Sequence, residues 1–144
     1  MNGFVQRAKK INKSYEIIIM YTILIIEDDE LQIALLRHFL IDEGFIVYAT
    51  ADGPQGIAIF ESQKIDLVLL DIGIPSMSGL EVLQEIRKIK CDAKVIVITG
   101  YPSVESSVQA IKYGASEYLQ KPIELKILLE KIKNTLQSNG DFTR

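Results

Sequence analysis

Four apolar residues, Ile23-Leu24-Ile25-Ile26, run directly into four acids, Glu27-Asp28-Asp29-Glu30. A short, mostly β-branched apolar run reads as a buried strand of a parallel sheet, covered on both faces. A strand that ends in carboxylates places them at its C-terminal edge, where open α/β sheets bind their ligands. Clustered carboxylates repel one another unless a cation sits among them, and a hard, oxygen-seeking ion such as Mg²⁺ suits them best. This segment alone predicts a divalent-metal site at the top of an α/β sheet.

From Tyr21 onward, short apolar runs alternate with helical segments. Strands are predicted at 22–27, 45–49, 67–70, 95–98 and 116–119, and helices at 30–42, 53–62, 78–90, 103–113 and 124–137. Asp52 is placed to cap the second helix, with Pro54 in its first turn. Ser78 and Glu81 have the S-x-x-E spacing of a capping box for the third. Gly114 is placed as a left-handed C-cap, and Leu125, Leu128, Leu129, Ile132 and Leu136 form the apolar stripe of the last helix. Five strands alternating with five helices require a parallel sheet, helices on both faces and right-handed crossovers.

A chain of 144 residues is long enough for one domain with a real core. The net charge of −3 gives no general reason to expect nucleic-acid binding. No apolar run approaches the ~18 residues that span a bilayer. The single cysteine, Cys91, excludes an internal disulfide and suits a reducing cytoplasm. Residues 1–20 stand apart: Arg7, Lys9, Lys10 and Lys13 against Glu16 give this segment +3 and leave −6 for the rest. A basic start before Ile17–Ile26 resembles a signal peptide superficially, but the stretch contains the first strand and no small-residue cleavage site follows. The segment reads as an extension, disordered or a short helix on the spacing of Phe4, Val5, Ala8 and Ile11, with Met20 the more natural start. The polar tail 138–144 reads as frayed.

If the first, third and fourth strands are neighbours, their ends bring Glu27, Asp28, Asp71 and Thr99 together, and Lys121 arrives from the fifth. Three acids, a hydroxyl and an ammonium suit neither acyl transfer, which needs a Ser–His pair, nor nucleotide binding. The only histidine, His38, lies mid-helix, and there is neither a G-x-x-x-x-G-K-[ST] loop nor a G-x-G-x-x-G after the first strand. A carboxylate beside a metal can instead attack phosphorus and form an aspartyl phosphate. Phosphoryl transfer rests on charge neutralisation and positioning, which a divalent ion, a lysine and a hydroxyl supply.

The ordered set Glu27-Asp28, Asp71 within Leu-Leu-Asp-Ile-Gly-Ile-Pro-Ser-Met-Ser-Gly, Thr99-Gly100 and Tyr118-Leu-Gln-Lys121-Pro122 resembles the receiver domain of two-component response regulators. The likeness covers residues 21–137. It implies a flavodoxin-like strand order 2-1-3-4-5 and phosphorylation of Asp71 from a sensor histidine kinase or histidine phosphotransfer protein. It also implies Mg²⁺, or Mn²⁺, held by Asp28, Asp71 and the Gly73 backbone carbonyl, with Glu27 acting through water. Lys121 bridges to the phosphoryl group, Lys121-Pro122 is cis, and Thr99 and Tyr118 form a switch pair.

Taken singly, Thr99 is a β-favouring residue, Lys121 a surface lysine, Tyr118 a core ring and Asp29 a helix N-cap; their order along the chain raises Thr99, Lys121 and Tyr118 above that. His38 and Cys91 read as passive. Gly73 and Ile123 depart from the commonest receiver pattern, and Gly73 leaves the site less shielded. The expected function is a phosphorylation-controlled binding module, cytoplasmic, monomeric or weakly dimeric when phosphorylated. It binds a downstream protein through its helix 4–strand 5–helix 5 face, without direct contact to nucleic acid or membrane, and is no enzyme beyond accepting and shedding its own phosphoryl group. Alternatives are a receiver piece of a larger transcription regulator, favoured by Thr99-Gly-Tyr-Pro-Ser-Val-Glu-Ser-Ser-Val, and an aspartyl-nucleophile phosphatase. The latter needs an acid two residues after Asp71, where Gly73 stands. A flavin carrier is weaker still, because the acids would repel a flavin phosphate.

Overall fold

The computed structural model describes residues 5–11 and 14–138. In chain order the elements are β1 (Val5–Ile11), β2 (Ser14–Met20), β3 (Thr22–Ile26), α1 (Glu30–Asp42), β4 (Ile46–Thr50) and α2 (Gly53–Ser62). These are followed by β5 (Leu67–Asp71), α3 (Gly79–Ile89), β6 (Val95–Thr99), α4 (Val104–Lys112), β7 (Glu117–Gln120) and α5 (Leu125–Gln137). Strands β4-β3-β5-β6-β7 form one parallel sheet in that order, the expected 2-1-3-4-5 arrangement counted from Thr22.

The central strands are buried on both faces because alternate side chains enter two separate cores. Leu24, Ile26, Val68, Leu70, Val95 and Val97 point to one side, where Phe60 of α2, Val82, Leu83 and Ile86 of α3 and Ala110 of α4 cover them. Ile23, Ile25, Leu67, Leu69, Ile96 and Ile98 point to the other, under Leu36 and Leu40 of α1 and Leu128, Ile132 and Leu136 of α5. Each fully buried Ile or Leu contributes about 1.5–3 kcal/mol of transfer free energy, so these three strands anchor the molecule. At the lower edge of the sheet the backbone of Thr22 donates to Asp66 Oδ2 at 2.8 Å. Burial lifts the Asp66 carboxyl to about 6 against the pull of that N–H and of Lys90 and Lys94.

Asp29 and Asp52 cap α1 and α2, Asp29 accepting from the backbone of Leu31 and Gln32 and Asp52 from that of Gln55. Gly114 ends α4 at φ +88°, a region that a Cβ disfavours. Two local expectations fail. The Ser78–Glu81 capping box does not form, and Ser78 makes no side-chain cap hydrogen bond. Instead the reciprocal box sits at α4, between Ser103 and Ser106. The N-terminal helix is also absent: β1 and β2 pair antiparallel from Val5↔Met20 to Ile11↔Ser14. The β-favouring run Tyr15, Ile17, Ile18 and Ile19 outweighs the helical spacing upstream. Phe4 and the tail 139–144 lie outside the described residues.

Candidate functional site

Sheet register assembles the site. Ile26 lies beside Leu70, so Glu27 and Asp71 leave the sheet side by side. Asp71 lies beside Ile98, which puts Thr99 one step beyond, and Thr99 lies beside Gln120, which delivers Lys121. The Lys121 amide donates to the Thr99 carbonyl at 2.8 Å, and the Lys121-Pro122 bond is cis.

Lys121 Nζ donates to Glu27 Oε1 at 2.7 Å and to Asp71 Oδ2 at 2.9 Å. The other Asp71 oxygen, Oδ1, accepts the Gly73 amide at 2.8 Å. The second oxygen of Glu27 accepts the Asp29 amide at 3.1 Å. Glu27 and Asp71 are buried, 4% and 7% exposed, whereas Asp28 faces solvent. Carboxylate oxygens of Glu27, Asp28 and Asp71 all lie within 4.8 Å of one another. Burial pushes the Glu27 carboxyl up, and the Asp71 charge adds to this, against the hydrogen bonds from Lys121 and the Asp29 amide. Burial works to lower Lys121, but its hydrogen bonds to Glu27 and Asp71 outweigh that and hold the ammonium above its ordinary value. Three carboxylates around one ammonium leave an excess of negative charge among hard oxygen donors, which fits a divalent metal.

The loop after Asp71 is held by close packing. A Cβ on Gly79 would meet the Ile72 Cα at 2.2 Å, and the Gly79 amide donates to the Ile72 carbonyl at 3.3 Å. No rotamer change relieves a clash with backbone. Gly79→Ala is therefore expected to cost about 3 kcal/mol, the upper end for overpacking. Urea unfolding checks this, and an unchanged midpoint would show that the loop yields freely. The backbone of Gly53, at the start of α2, donates to Ser76 Oγ at 3.0 Å and ties the same loop from its far side. Gly73 itself is exposed, and a Cβ there would touch nothing closer than Asp71 Oδ1 at 3.4 Å, so no side chain at this position shields the buried Asp71 carboxylate.

The expected switch residues are placed as follows. Thr99 is 1% exposed, and its hydroxyl accepts the Tyr101 amide at 3.1 Å. Tyr118 is half-buried against the core of α2, α3 and α4. Its hydroxyl does not meet that of Thr99: it lies 2.5 Å from Ser106 Oγ and accepts the Ser103 amide at 3.3 Å. Ser103 and Ser106 carried no role on sequence grounds; their S-x-x-S spacing was the available signal.

Residues 23–133 match the family model of the response regulator receiver domain. The chain belongs to the response regulator receiver family. The receiver is 37% identical over 121 residues to the uncharacterized transcriptional regulatory protein YkoG of Bacillus subtilis, covering 84% of this chain and 53% of that one. It is 34% identical over 122 residues to the sensory transduction protein RegX3 of Mycobacterium tuberculosis, covering 85% and 53%. The chain thus spans about half the length of these curated relatives. Among solved structures it resembles a CheY-like receiver domain from Methanospirillum hungatei, with TM-score 0.80, 38% identity and coverage of 81% and 94%. It also resembles the response regulator TrrA of Thermotoga maritima, solved with Mg²⁺ and BeF, with TM-score 0.74, 38% identity and coverage of 81% and 99%. Residues 23–133 are thus a receiver domain of the kind found in two-component response regulators. Among the described residues no helix is long and apolar enough to cross a membrane.

Proposed function

We propose that Asp71 accepts a phosphoryl group from a phosphohistidine of a sensor kinase or phosphotransfer protein, and that the modification switches a protein-binding face. The observation that carries this reading is the buried Asp71 carboxylate paired with Lys121 inside an acidic cluster fit for a metal. An Asp71 oxygen forms the bond to phosphorus while the phosphorus–nitrogen bond of the donor breaks, its electron pair returning to the imidazole. Lys121, held at the cluster by two acids, is positioned to neutralise the transferred oxygens. Asp28 and Asp71, with the Gly73 carbonyl and with Glu27 through water, would hold Mg²⁺ or Mn²⁺. When bound, the ion supplies charge neutralisation to the transferring group. The likeness to TrrA, solved with Mg²⁺ and BeF, supports the choice of ion.

The phosphoryl group then draws the Thr99 hydroxyl inward and releases space for the Tyr118 ring. This biases two arrangements of the α4–β7–α5 face by no more than their differential contact energy. An exposed apolar stripe supports that face as the output: Tyr101, Val104, Val108 and Ile111 are 90%, 82%, 60% and 57% exposed. The downstream partner is a protein. In a longer chain like the transcription regulators it resembles, that partner would be an attached output domain, and contact with nucleic acid would belong to that domain.

Thr99→Ala tests the coupling. It should still take beryllofluoride at Asp71, but amide shifts over residues 103–125 should fall to a minor fraction of the wild-type response. A full-sized response in the mutant would remove Thr99 from the switch. We also place the receiver unit at residues 21–137, with 1–20 as an appended segment. A chain beginning at Met20 should fold with an unfolding free energy within about 0.5 kcal/mol of the full chain, read from urea unfolding; failure to fold would make the hairpin part of the domain.

A further inference from the structure

The α4 capping box holds more than its own helix. The Ser106 amide donates to Ser103 Oγ at 3.0 Å, the Ser103 amide reaches Ser106 Oγ at 3.3 Å, and the two hydroxyls lie 3.0 Å apart. Ser106 Oγ also reaches the Ser103 carbonyl at 3.3 Å. Into this ring comes a side chain from another element. The Tyr118 hydroxyl, projecting from β7, shares a 2.5 Å hydrogen bond with Ser106 Oγ and accepts the same Ser103 amide. These are the groups that satisfy the otherwise orphan donors of the first turn of α4. Both Ser106 and Tyr118 are half-buried, so water competes for the bond less than at an open surface. The sequence pattern supports the arrangement: serine at the third helical position has the short reach to keep its hydroxyl at the box, where glutamate of the usual S-x-x-E would extend further.

We propose that Ser106 is a clasp for Tyr118, making the tyrosine and the first turn of α4 one cooperative unit, so that release of the tyrosine frays the start of the helix. The inference rests on the reading of Tyr118 as a switch and adds what the switch moves. A tyrosine that leaves its half-buried site takes a hydrogen-bond partner from Ser106 and from the Ser103 amide at once. The first turn of α4, which carries the exposed Val104 and Val108, then loosens. Ser106 is in this sense a positioning residue: it touches neither Asp71 nor Lys121 among the hydrogen bonds described.

The test is amide exchange with water at positions 106 and 107 in the full chain. The variants are Tyr118→Phe, Ser106→Ala and their combination, with Ser106→Thr as the control that keeps a hydroxyl. Without any ligand, Tyr118→Phe and Ser106→Ala should each speed exchange roughly fivefold, the scale of one lost cap hydrogen bond. The double variant should be no faster than Ser106→Ala alone, and Ser106→Thr should stay near wild type. Unchanged exchange in Tyr118→Phe, or a double variant showing the product of the two single effects, overturns the clasp. Adding Mg²⁺ and beryllofluoride should reproduce the speed-up in wild type and add nothing in Tyr118→Phe. A complex that shifts Asp71 and Gly73 but leaves positions 106 and 107 untouched also overturns it. Absence of any complex at Asp71 would instead strike the phosphoryl-acceptor reading, with the clasp still decided by the ligand-free comparison.

Discussion

Incubated with Mg²⁺ and acetyl phosphate, the wild-type chain should gain one phosphoryl group, and Asp71→Asn should gain none. Asp71 combines three conditions that no other carboxylate among the described residues meets together. It lies at a strand end beside a solvent-open glycine, it is paired with Lys121, and it shares a cluster with two further acids. The Asp71→Asn change keeps the shape of the site but offers an amide where a carboxylate must attack phosphorus, so the loss should be complete. Intact-mass measurement after brief incubation decides it. Continued modification of Asp71→Asn would move the nucleophile elsewhere. Asp29 would be the next candidate, although its Oδ1 is already engaged with the Leu31 and Gln32 amides.

The metal should declare itself through stability. Glu27 and Asp71 are buried close together, and Lys121 is their ion-pair partner. A divalent ion that enters beside Asp28 relieves repulsion present only in the folded chain, and so stabilises it by linkage. At tenfold excess over its dissociation constant the gain is about 1.4 kcal/mol, or roughly 3–6 °C in Tm for a domain of this size. Asp28→Ala should abolish the rise. Because Asp28 is exposed, the variant should cost little when Mg²⁺ is left out. A thermal melt with and without millimolar Mg²⁺ in both chains is sufficient. A wild-type Tm indifferent to Mg²⁺, or a rise that survives Asp28→Ala, would displace Asp28 from the ligand set.

Much of this molecule was legible because its signals are local and repeated. Apolar runs such as Leu67–Leu70 and Val95–Ile98 mark central strands whatever surrounds them, since both faces of such a strand must find cover. Acids at the end of one run, an aspartate at the end of another and a threonine at the end of a third were enough to predict a cluster once the strands were parallel. Gly114 and Asp52 could be assigned because caps depend on neighbours a few residues away.

Local patterns misled where two of them competed or where the partner was distant. Ser78 and Glu81 have box spacing, but the first turn of α3 is pressed onto Ile72, and no cap hydrogen bond forms there. The helical spacing of Val5, Ala8 and Ile11 lost to a strand partner in the next segment, which periodicity within one segment does not register. Ser106 went unnoticed because its significance lies in Tyr118, twelve residues on and on another element. The sequence by itself determined the alternation of strands and helices, the two apolar cores and the residue types at the strand ends. Only the tertiary structure decided which oxygens Lys121 engages, how tightly Gly79 abuts Ile72 and which hydroxyls receive Tyr118. Those depend on ångström-scale distances between segments far apart in the chain, and sheet register, not local propensity, sets them.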